Sequence, residues 1–258
     1  MSGVCVGPGR RSLEALGWLA RVGAAPHEPL GLVMGWSEML VYDHVRRLVR
    51  AGLVRRVAMT RGHGSLLVIT PAGAVIAGYP AGRAPRSLAP TTWAHTSACA
   101  WVSAWLALRL QTRWADDPAM AWWSERDVLQ DRFWRRDVRY QDRRGSVRVT
   151  HRPDLGVRIA GRPVPVEVEL QRKVRARLLG ILSMYAQLSL GVDAAYGGVI
   201  YIAGSEDVAA AVRRVAADAG LRAPALSVRA LREVIQQTRA AALELAGRRA
   251  PASIGEAQ

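Results

Sequence analysis

Two neighbouring segments of the sequence carry carboxylates at spacings that suit metal-dependent chemistry. Asp154 begins one alternating apolar segment, and Glu167 and Glu169 alternate with valines in the next segment, VPVEVEL. Successive side chains of a β-strand point to opposite faces, so we expect these carboxylates on the polar faces of two strands. Carboxylate oxygens are ligands that Mg²⁺ takes in sites that cleave or transfer phosphoryl groups. A divalent ion held there could activate a water and stabilise a phosphoryl transition state.

The dipeptide Ala160-Gly161 separates the two segments and predicts a tight two-residue hairpin turn. Such a turn pairs residues whose numbers sum to 321, so Asp154 would face Glu167 directly. Directly opposed side chains have Cβ atoms about 5 Å apart, and two like charges there are destabilising unless a cation lies between them. Mg²⁺ or Mn²⁺ is the expected cation, with Asp154 and Glu167 as its ligands.

The chain has a single lysine. Of its 36 basic residues 35 are arginine, and Lys173 is the exception. A lysine retained in this background indicates a role for a compact cation that orients a nucleophile, which a planar guanidinium cannot fill. The alternative is chance survival of one lysine on a solvated helix turn. Glu169, four residues before it, is either part of the site or a partner of Arg172 or Arg175.

Further candidates lie outside these two segments. Glu125 and Asp127 lie in the first turn of a predicted helix, where they could favour the helix N-terminus electrostatically. His95 and His151 lack the spacing of metal ligands and are interpreted as structural histidines, and Tyr185 is interpreted as a core residue.

The charge of the chain bears on its partner. The 258 residues carry 36 basic and 21 acidic side chains, a net charge of +15. This balance favours a polyanion, with double-stranded DNA as the first expectation, although solvated arginines of an arginine-rich proteome would give the same count. No run approaches the ~18 apolar residues that span a bilayer, and Met1 to Arg11 has no apolar signal core. We therefore expect a cytoplasmic protein without a membrane partner.

The first 80 residues have the pattern of a DNA-reading domain. Ser12 and Ser37 each predict the start of an amphipathic helix. In the second of these helices the apolar residues recur at helical spacing, while Tyr42, Arg46 and Arg50 recur at steps of four on another face. This arrangement is expected of a helix that lies in the major groove of DNA.

A predicted hairpin follows, with β-like runs over 53–57 and 66–70 and a closing helix that begins at Thr70-Pro71. The order helix, helix, helix, hairpin, helix, with RAGLVRR before the hairpin and ITPAG after it, resembles winged helix-turn-helix domains over residues 11–78. A winged helix used only for protein contacts is the alternative. The resemblance implies DNA contacts from Ser37, Tyr42, Arg46, Arg47, Arg50, Arg61 and His63.

The remainder of the chain is interpreted as a linker over 81–92, a second domain over 93–248 and a disordered tail over 249–258. The second domain resembles PD-(D/E)xK nucleases through Pro153-Asp154, the strand VPVEVEL and an αβββαβ order that a helix over 171–190 and a strand over 198–202 complete. The whole chain is similar to the replication-relaxation proteins of bacterial plasmids and other mobile elements. The expected fold class is thus α/β (α+β), a winged helix-turn-helix followed by a nuclease-like αβββαβ domain.

The resemblance implies roles for individual residues. Asp154 and Glu167 would be metal ligands, and Glu125 a third carboxylate. Glu169 stands where the family has its lysine, and Lys173, one turn farther on, would be the relocated lysine.

Two functions follow from these expectations. The first is a metal-dependent DNA endonuclease or nickase of a mobile element. The second is a non-catalytic regulator of transcription or replication with a degenerate nuclease domain, which Glu169 in the lysine position would allow. Both bind DNA, and a homodimer is consistent with either because winged helices often read paired half-sites.

Overall fold

The computed structural model describes residues 8–59, 64–112, 121–143, 145–191 and 194–249. The chain is a mixed α+β protein. Its helices are α1 (Arg10–Val22), α2 (His27–Met34), α3 (Glu38–Arg50), α4 (Pro71–Ile76), α5 (Trp93–Thr112), α6 (Glu125–Gln130), α7 (Arg175–Ser189), α8 (Glu206–Asp218) and α9 (Leu231–Arg249). Its strands are β1 (Ala24–Ala25), β2 (Val54–Ala58), β3 (Ser65–Ile69), β4 (Trp122–Trp123), β5 (Arg136–Asp142), β6 (Gly145–His151), β7 (Leu155–Ile159), β8 (Arg162–Glu169), β9 (Val199–Ala203) and β10 (Leu226–Ala230).

The chain divides into two compact units, which we call the first unit (residues 1–104 and 238–258) and the second unit (residues 105–237). The division lies inside α5, whereas the sequence predicted a boundary at residue 93 after a linker over 81–92. Within the first unit, Arg239 Nε donates to Glu28 Oε1 at 2.7 Å, which ties α9 to α2. Residues 250–258 of the predicted tail lie outside the described residues. Among the described helices, none has the length and apolar character needed to cross a bilayer.

The first unit joins helices to a small antiparallel sheet with strand order β1, β3, β2. The order along the chain is α1, β1, α2, α3, β2, β3 and α4. Strand β1 was not predicted from the sequence, because two alanines are too short to show a period. The second of the three helices in the predicted order is α2, which begins at His27 and ends at Met34.

Caps explain where the helices of the first unit begin. Ser37 accepts a hydrogen bond from Leu40 N, and Thr70 accepts one from Gly73 N, so both predicted caps are confirmed. The predicted cap at Ser12 is wrong because α1 begins at Arg10, before that residue. The Ser12 hydroxyl instead bonds to His44 Nδ1 at 3.2 Å and links α1 to α3.

The second unit contains a five-stranded sheet with the order β10, β9, β8, β7, β4. Leu155 pairs with Val166 in the antiparallel β7–β8 hairpin, which confirms the predicted sum of 321. Ala160 and Gly161 form the turn with φ of 49° and 75°, as a two-residue turn of this type requires. Strand β9 lies parallel to β8 on its other side, so the carboxyl ends of these two strands meet at one edge.

Strands β5 and β6 pair with each other as a separate two-stranded antiparallel sheet, which we call the ribbon. The ribbon is regular over seven residue pairs. Val138 and Val149 of the ribbon pack into the core beside α7. The approach is close at Gly180 of α7, where an added Cβ would lie 3.0 Å from Arg139 O.

The face of β8 that carries Glu167 was expected to be polar, and this expectation is wrong. Every residue from Val164 to Glu169 is buried, because β8 is the central strand and both faces of the sheet are covered. The alternation therefore separates two buried faces of β8, one with Val166 and Val168 and the other with Glu167 and Glu169. On the neighbouring strand, an added Cβ at Gly156 would lie 2.5 Å from Trp134 Cζ2, so glycine is required for this packing.

Two helical glycines of the first unit predict opposite effects of the same substitution. A Cβ on Gly73 would lie 2.1 Å from Leu53 O, whereas a Cβ on Gly17 would meet no atom within 4 Å. We expect Gly73→Ala to lower the free energy of unfolding by about 1–3 kcal/mol through overpacking. Gly17→Ala should raise it by about 0.5–1 kcal/mol, since alanine loses less backbone entropy in a helix. Urea unfolding of both variants checks this, and equal effects would contradict it.

Candidate functional site

Three carboxylates and the single lysine meet at the carboxyl end of β8, and we call them the acidic cluster. Asp154 immediately precedes β7, Glu167 and Glu169 lie on β8, and Lys173 lies in the segment between β8 and α7. Asp154 Oδ2 accepts a hydrogen bond from Val168 N at 2.7 Å, which fixes this side chain across the hairpin. The residues that the sequence predicted for a metal site are thus brought together by the hairpin register and by the chain that leaves β8.

Lys173 is bound directly into the cluster. Its Nζ donates to Glu169 Oε2, and the two side chains are 24% and 10% exposed. Arg175, an alternative partner considered for Glu169, instead pairs with Asp218 at 2.8 Å. Lys173 is therefore not on a solvated helix turn, and α7 begins only at residue 175 rather than at the predicted 171.

Burial and charge act against each other on the titration of this pair. Burial lowers the pKa of Lys173, but the carboxylates of Glu167, Glu169 and Asp154 outweigh it, so the net pKa is raised and the ammonium form is favoured. Burial raises the pKa of Glu169, and Lys173 offsets only part of that rise. The cluster thus holds a stable cation among carboxylates that are not equally acidic.

Glu167 is the most buried carboxylate, with 2% of its surface exposed, and two side chains bind it. His151 Nε2 lies 2.7 Å from Glu167 Oε1, and the Tyr185 hydroxyl donates to the same oxygen. His151 Nε2 also lies 3.2 Å from the Tyr185 hydroxyl, so the three groups form one buried network. His151 is the last residue of the ribbon and Tyr185 lies on α7, so two separate elements meet at one carboxylate.

The network explains the titration of its members. Burial raises the pKa of Glu167, yet the charge and hydrogen bond of His151, with Lys173 and Tyr185, bring the net pKa below its ordinary value. Burial and the nearby Glu167 carboxylate raise the pKa of Tyr185 well above its usual range, so the phenol keeps its proton and remains a donor. The ionised form of Glu167 is therefore stabilised inside the core.

Sequence reasoning interpreted His151 and Tyr185 as structural and core residues, and both are indeed buried. Their bonds to Glu167 were missed. His151 lies 16 residues before Glu167 and Tyr185 lies 18 residues after it, on different elements, so no periodic pattern in the sequence connects them. The available signal was that each is a polar side chain that needs a hydrogen-bond partner when it is buried.

Glu125 is the first residue of α6, a half-buried position on a helix that packs beside β7. Asp127 forms a capping box with Ser124, in which each side chain accepts from the backbone N–H of the other residue. This confirms the helix-terminus interpretation of Asp127. The assignment of Glu125 as a third carboxylate of the site stays a prediction.

A second group of predicted residues lies on α3 of the first unit. Tyr42, Arg46, Arg47 and Arg50 are all exposed there, while Val41, Val45 and Leu48 are buried. Arg46 Nη2 pairs with Asp43 Oδ1 at 3.0 Å. A groove of about 360 Å³ runs along this face and is lined by Tyr42, Asp43, Arg46, Val49, Arg50 and Arg56. The helix thus presents several guanidinium groups on one face.

Strand β2 adds Arg56, which sequence reasoning did not select, to this face. Its guanidinium carbon lies 5.9 Å from the Tyr42 ring centroid, and its Nη2 lies 3.1 Å from His27 Nε2. Burial and the Arg56 charge lower the pKa of His27 to about 4, so at pH 7 a neutral imidazole can accept the Arg56 hydrogen bond. Ser37 lies at the N-cap of α3, whereas Arg61 and His63 lie outside the described residues.

The buried network gives a testable prediction with a built-in control. Tyr185→Phe removes a hydroxyl that donates to a buried carboxylate oxygen, so we expect the free energy of unfolding to fall by about 1–3 kcal/mol. The Tyr196 hydroxyl is buried without a hydrogen-bond partner among the described residues, so Tyr196→Phe should be neutral or slightly stabilising. Denaturant unfolding measures both variants. Equal losses from the two substitutions would show that the hydrogen bond of Tyr185 to Glu167 adds no more to the stability of the protein than the unbonded hydroxyl of Tyr196.

Comparisons with known proteins add little to this geometry. No protein-family model matches the chain, and no curated protein matches it. Among solved structures it is similar to protein VC1899 from Vibrio cholerae, with 12% sequence identity and a TM-score of 0.35. The similarity covers 92% of this chain, which spans 57% of the length of that protein. A likeness of this strength carries no argument about fold or function.

Proposed function

We propose that the chain is a DNA-binding protein of a mobile element that cleaves DNA as a metal-dependent endonuclease or nickase. The first unit would be a winged helix-turn-helix and the second unit a PD-(D/E)xK nuclease-like domain, as in replication-relaxation proteins. One observation carries the proposal. The chain's single lysine, Lys173, lies among the carboxylates of Asp154, Glu167 and Glu169 at the carboxyl end of the central strand.

The order of elements in the first unit supports DNA binding. Three helices, a strand before the second helix and a closing hairpin in the order β1, β3, β2 are the parts of a winged helix. In that fold the third helix enters the major groove, and here α3 is the helix whose exposed face carries Tyr42, Arg46 and Arg50. Double-stranded DNA, with a homodimer on paired half-sites, remains the proposed partner arrangement.

The donor set of the acidic cluster fits Mg²⁺ or Mn²⁺. Its ligands are hard carboxylate oxygens, which these ions prefer over nitrogen or sulfur. The hydrogen bonds described above engage Oε1 of Glu167 and Oε2 of Glu169, so each keeps a second oxygen for a cation. Asp154 and Glu167 would hold the ion, with Glu169 and Glu125 as further candidates. When bound, such an ion supplies Lewis-acid stabilisation of a phosphodiester and acidifies a water.

Each side chain of the cluster has a task that follows from its contacts. Lys173 presents a compact ammonium that orients an attacking water and stabilises negative charge on the phosphoryl oxygens. Glu169 holds that ammonium in place through their ion pair. His151 and Tyr185 fix Glu167 in its ionised form, so its geometry is set before DNA arrives. Lys173 thus supplies the ammonium group that the family has at position 169, where this chain has a glutamate.

A second candidate function rests on one specific observation. Glu167 already accepts from His151 and Tyr185, and Glu169 is already paired with Lys173, so much of the cluster's charge is satisfied within the protein. This favours a non-catalytic regulator of transcription or replication whose second unit is a degenerate nuclease domain. Cleavage of supercoiled plasmid with and without Mg²⁺ or Mn²⁺ separates the two functions, because the regulator cuts nothing under either condition.

The DNA-reading role of α3 predicts a loss of affinity on removal of its arginine. Arg46→Ala should weaken duplex binding by about 1–3 kcal/mol if the guanidinium reads a guanine edge, or reduce the salt slope by about one if it contacts phosphate. Arg10→Ala on α1 is the matched control, since Arg10 is also exposed and also pairs with an acidic residue of its own helix. Fluorescence anisotropy over a salt series measures both. Equal losses of affinity in the two variants would show that only net charge matters, and α3 would then not be the helix that reads DNA.

The role of Lys173 predicts a separation of cleavage from binding. Lys173→Arg keeps the charge but changes the donor geometry, so DNA affinity and Mn²⁺ binding should persist while most plasmid cleavage is lost. Arg172→Lys, the reverse exchange at the adjacent exposed position, should cut at the parental rate. An active parent whose Lys173→Arg variant is equally active would remove Lys173 from the mechanism and leave the carboxylates in place.

The carboxylate Asp154 predicts loss of metal. Asp154→Asn retains an oxygen that can accept from Val168 N and removes the charge, so the hairpin should stay intact. We expect Mn²⁺ binding, measured by calorimetry, to weaken at least tenfold, because the ion loses a charged carboxylate that would bind it directly. Cleavage should fall with it. Unchanged Mn²⁺ affinity in this variant would contradict the assignment of the site.

A further inference from the structure

The ribbon and the residues that flank it concentrate positive charge, and the proposed site uses only His151 of this segment. Residues 135–152 contain seven arginines and two aspartates in eighteen positions, whereas the whole chain has 36 basic residues in 258. Arg135, Arg139, Arg143 and Arg148 are exposed. This local excess is well above the composition of the chain, so an arginine-rich composition alone does not explain it.

The pairing register puts the charged groups on one face of the ribbon. Val138 and Val149 pair on the inner face, which packs into the core. Arg139 and Arg148 pair directly on the outer face, beside the Asp137 that forms an ion pair with Arg148. Like charges directly opposite each other in a sheet are destabilising. A polyanion bound along the outer face would relieve this repulsion.

One end of the ribbon is anchored at the acidic cluster. His151, its last residue, lies 2.7 Å from Glu167 through Nε2 and Oε1. At a rise of about 3.4 Å per residue, Arg148 lies ~10 Å along the strand from His151, and the turn at Gly145 lies ~20 Å from it. That length matches about six base pairs of duplex, which rise 3.4 Å each along the helix axis.

Before a metal ion binds, the acidic cluster repels DNA, because its three carboxylates outnumber its one lysine. A phosphodiester that reaches such a site needs compensating cations nearby to offset this repulsion. The ribbon supplies guanidinium groups from ~10 to ~20 Å along the strand from His151. They belong to the same unit as the cluster. Guanidinium groups contact phosphate oxygens in a bidentate manner, and several of them spaced along the ribbon suit the successive phosphates of a backbone.

We propose that the outer face of the ribbon, with Arg139, Arg148 and the turn residue Arg143, binds the phosphate backbone of duplex DNA and holds it beside the acidic cluster. This inference rests on the proposed DNA binding of the chain and adds a second contact, independent of α3. Contacts to the backbone carry no sequence information, so the ribbon contributes affinity and position while α3 contributes the choice of site.

The test uses the full chain with the double substitution Arg139→Ser and Arg148→Ser. Its binding to two duplexes of unrelated sequence is measured over a series of salt concentrations. The slope of log K against log salt should fall by about two, since each lost phosphate contact changes it by about 0.9. The fall should be the same on both duplexes. The matched control is Arg213→Ser with Arg214→Ser on α8, which removes the same charge and likewise one exposed ion pair, and it should keep the parental slope.

Folding of the variant is measured on the same samples. The substitution removes both the opposition of Arg139 to Arg148 and the exposed ion pair of Arg148 with Asp137, two small effects of opposite sign. The unfolding midpoint should therefore stay close to the parental value, and weaker DNA binding would then not reflect a damaged fold. If the midpoint falls, Arg139→Lys with Arg148→Lys keeps the charge, and recovery of most of the parental slope supports the proposal. Failure of this lysine pair to bind better than the serine pair would overturn it.

The possible results distinguish the ribbon contact from the proposed DNA binding of the chain. If the parent binds neither duplex, both proposals are overturned. A parent whose affinity falls with Arg46→Ala but not with the ribbon pair keeps the DNA-binding function and overturns the ribbon contact. A loss confined to one of the two duplexes would overturn a backbone contact in favour of base reading.

Discussion

The buried carboxylate of Glu167 is the constraint around which the second unit is arranged. An ionised carboxylate with 2% exposure in a central strand is destabilising unless several groups compensate it. Here the ribbon contributes His151, α7 contributes Tyr185, and the chain after β8 contributes Lys173. Three different elements must therefore reach their final positions together, and the loss of any one leaves Glu167 without one of its partners.

The same constraint explains features that have no chemistry of their own. Gly180 allows α7 to approach the ribbon closely, and this contact helps to set the distance between the elements that carry His151 and Tyr185. Gly156 lets β7 lie against Trp134 next to Asp154. These glycines are packing residues, yet the geometry of the cluster depends on them. The positions of the charged groups are thus determined by close backbone contacts as much as by their mutual attraction.

Local rules were sufficient where the determining interaction is local. Ala160-Gly161 predicted the turn and the register, and Ser37 and Thr70 predicted two helix starts, because each effect acts within a few residues. The fold class was likewise predictable at the level of mixed α+β. The polar face of β8 was not, since its burial depends on elements that pack over it from elsewhere in the chain. His151 was interpreted correctly as satisfied, but its partner is set by tertiary structure.

The first unit is discontinuous in the chain, since it combines residues 1–104 with residues 238–258, and Arg239 of the second segment pairs with Glu28 of the first. This has a consequence for synthesis. Domains that are contiguous in sequence can fold as they leave the ribosome. Here the second unit is translated in full before Arg239 exists, so the nascent N-terminal segment emerges without that ion pair. Helix α3 is therefore synthesised well before its own unit is complete.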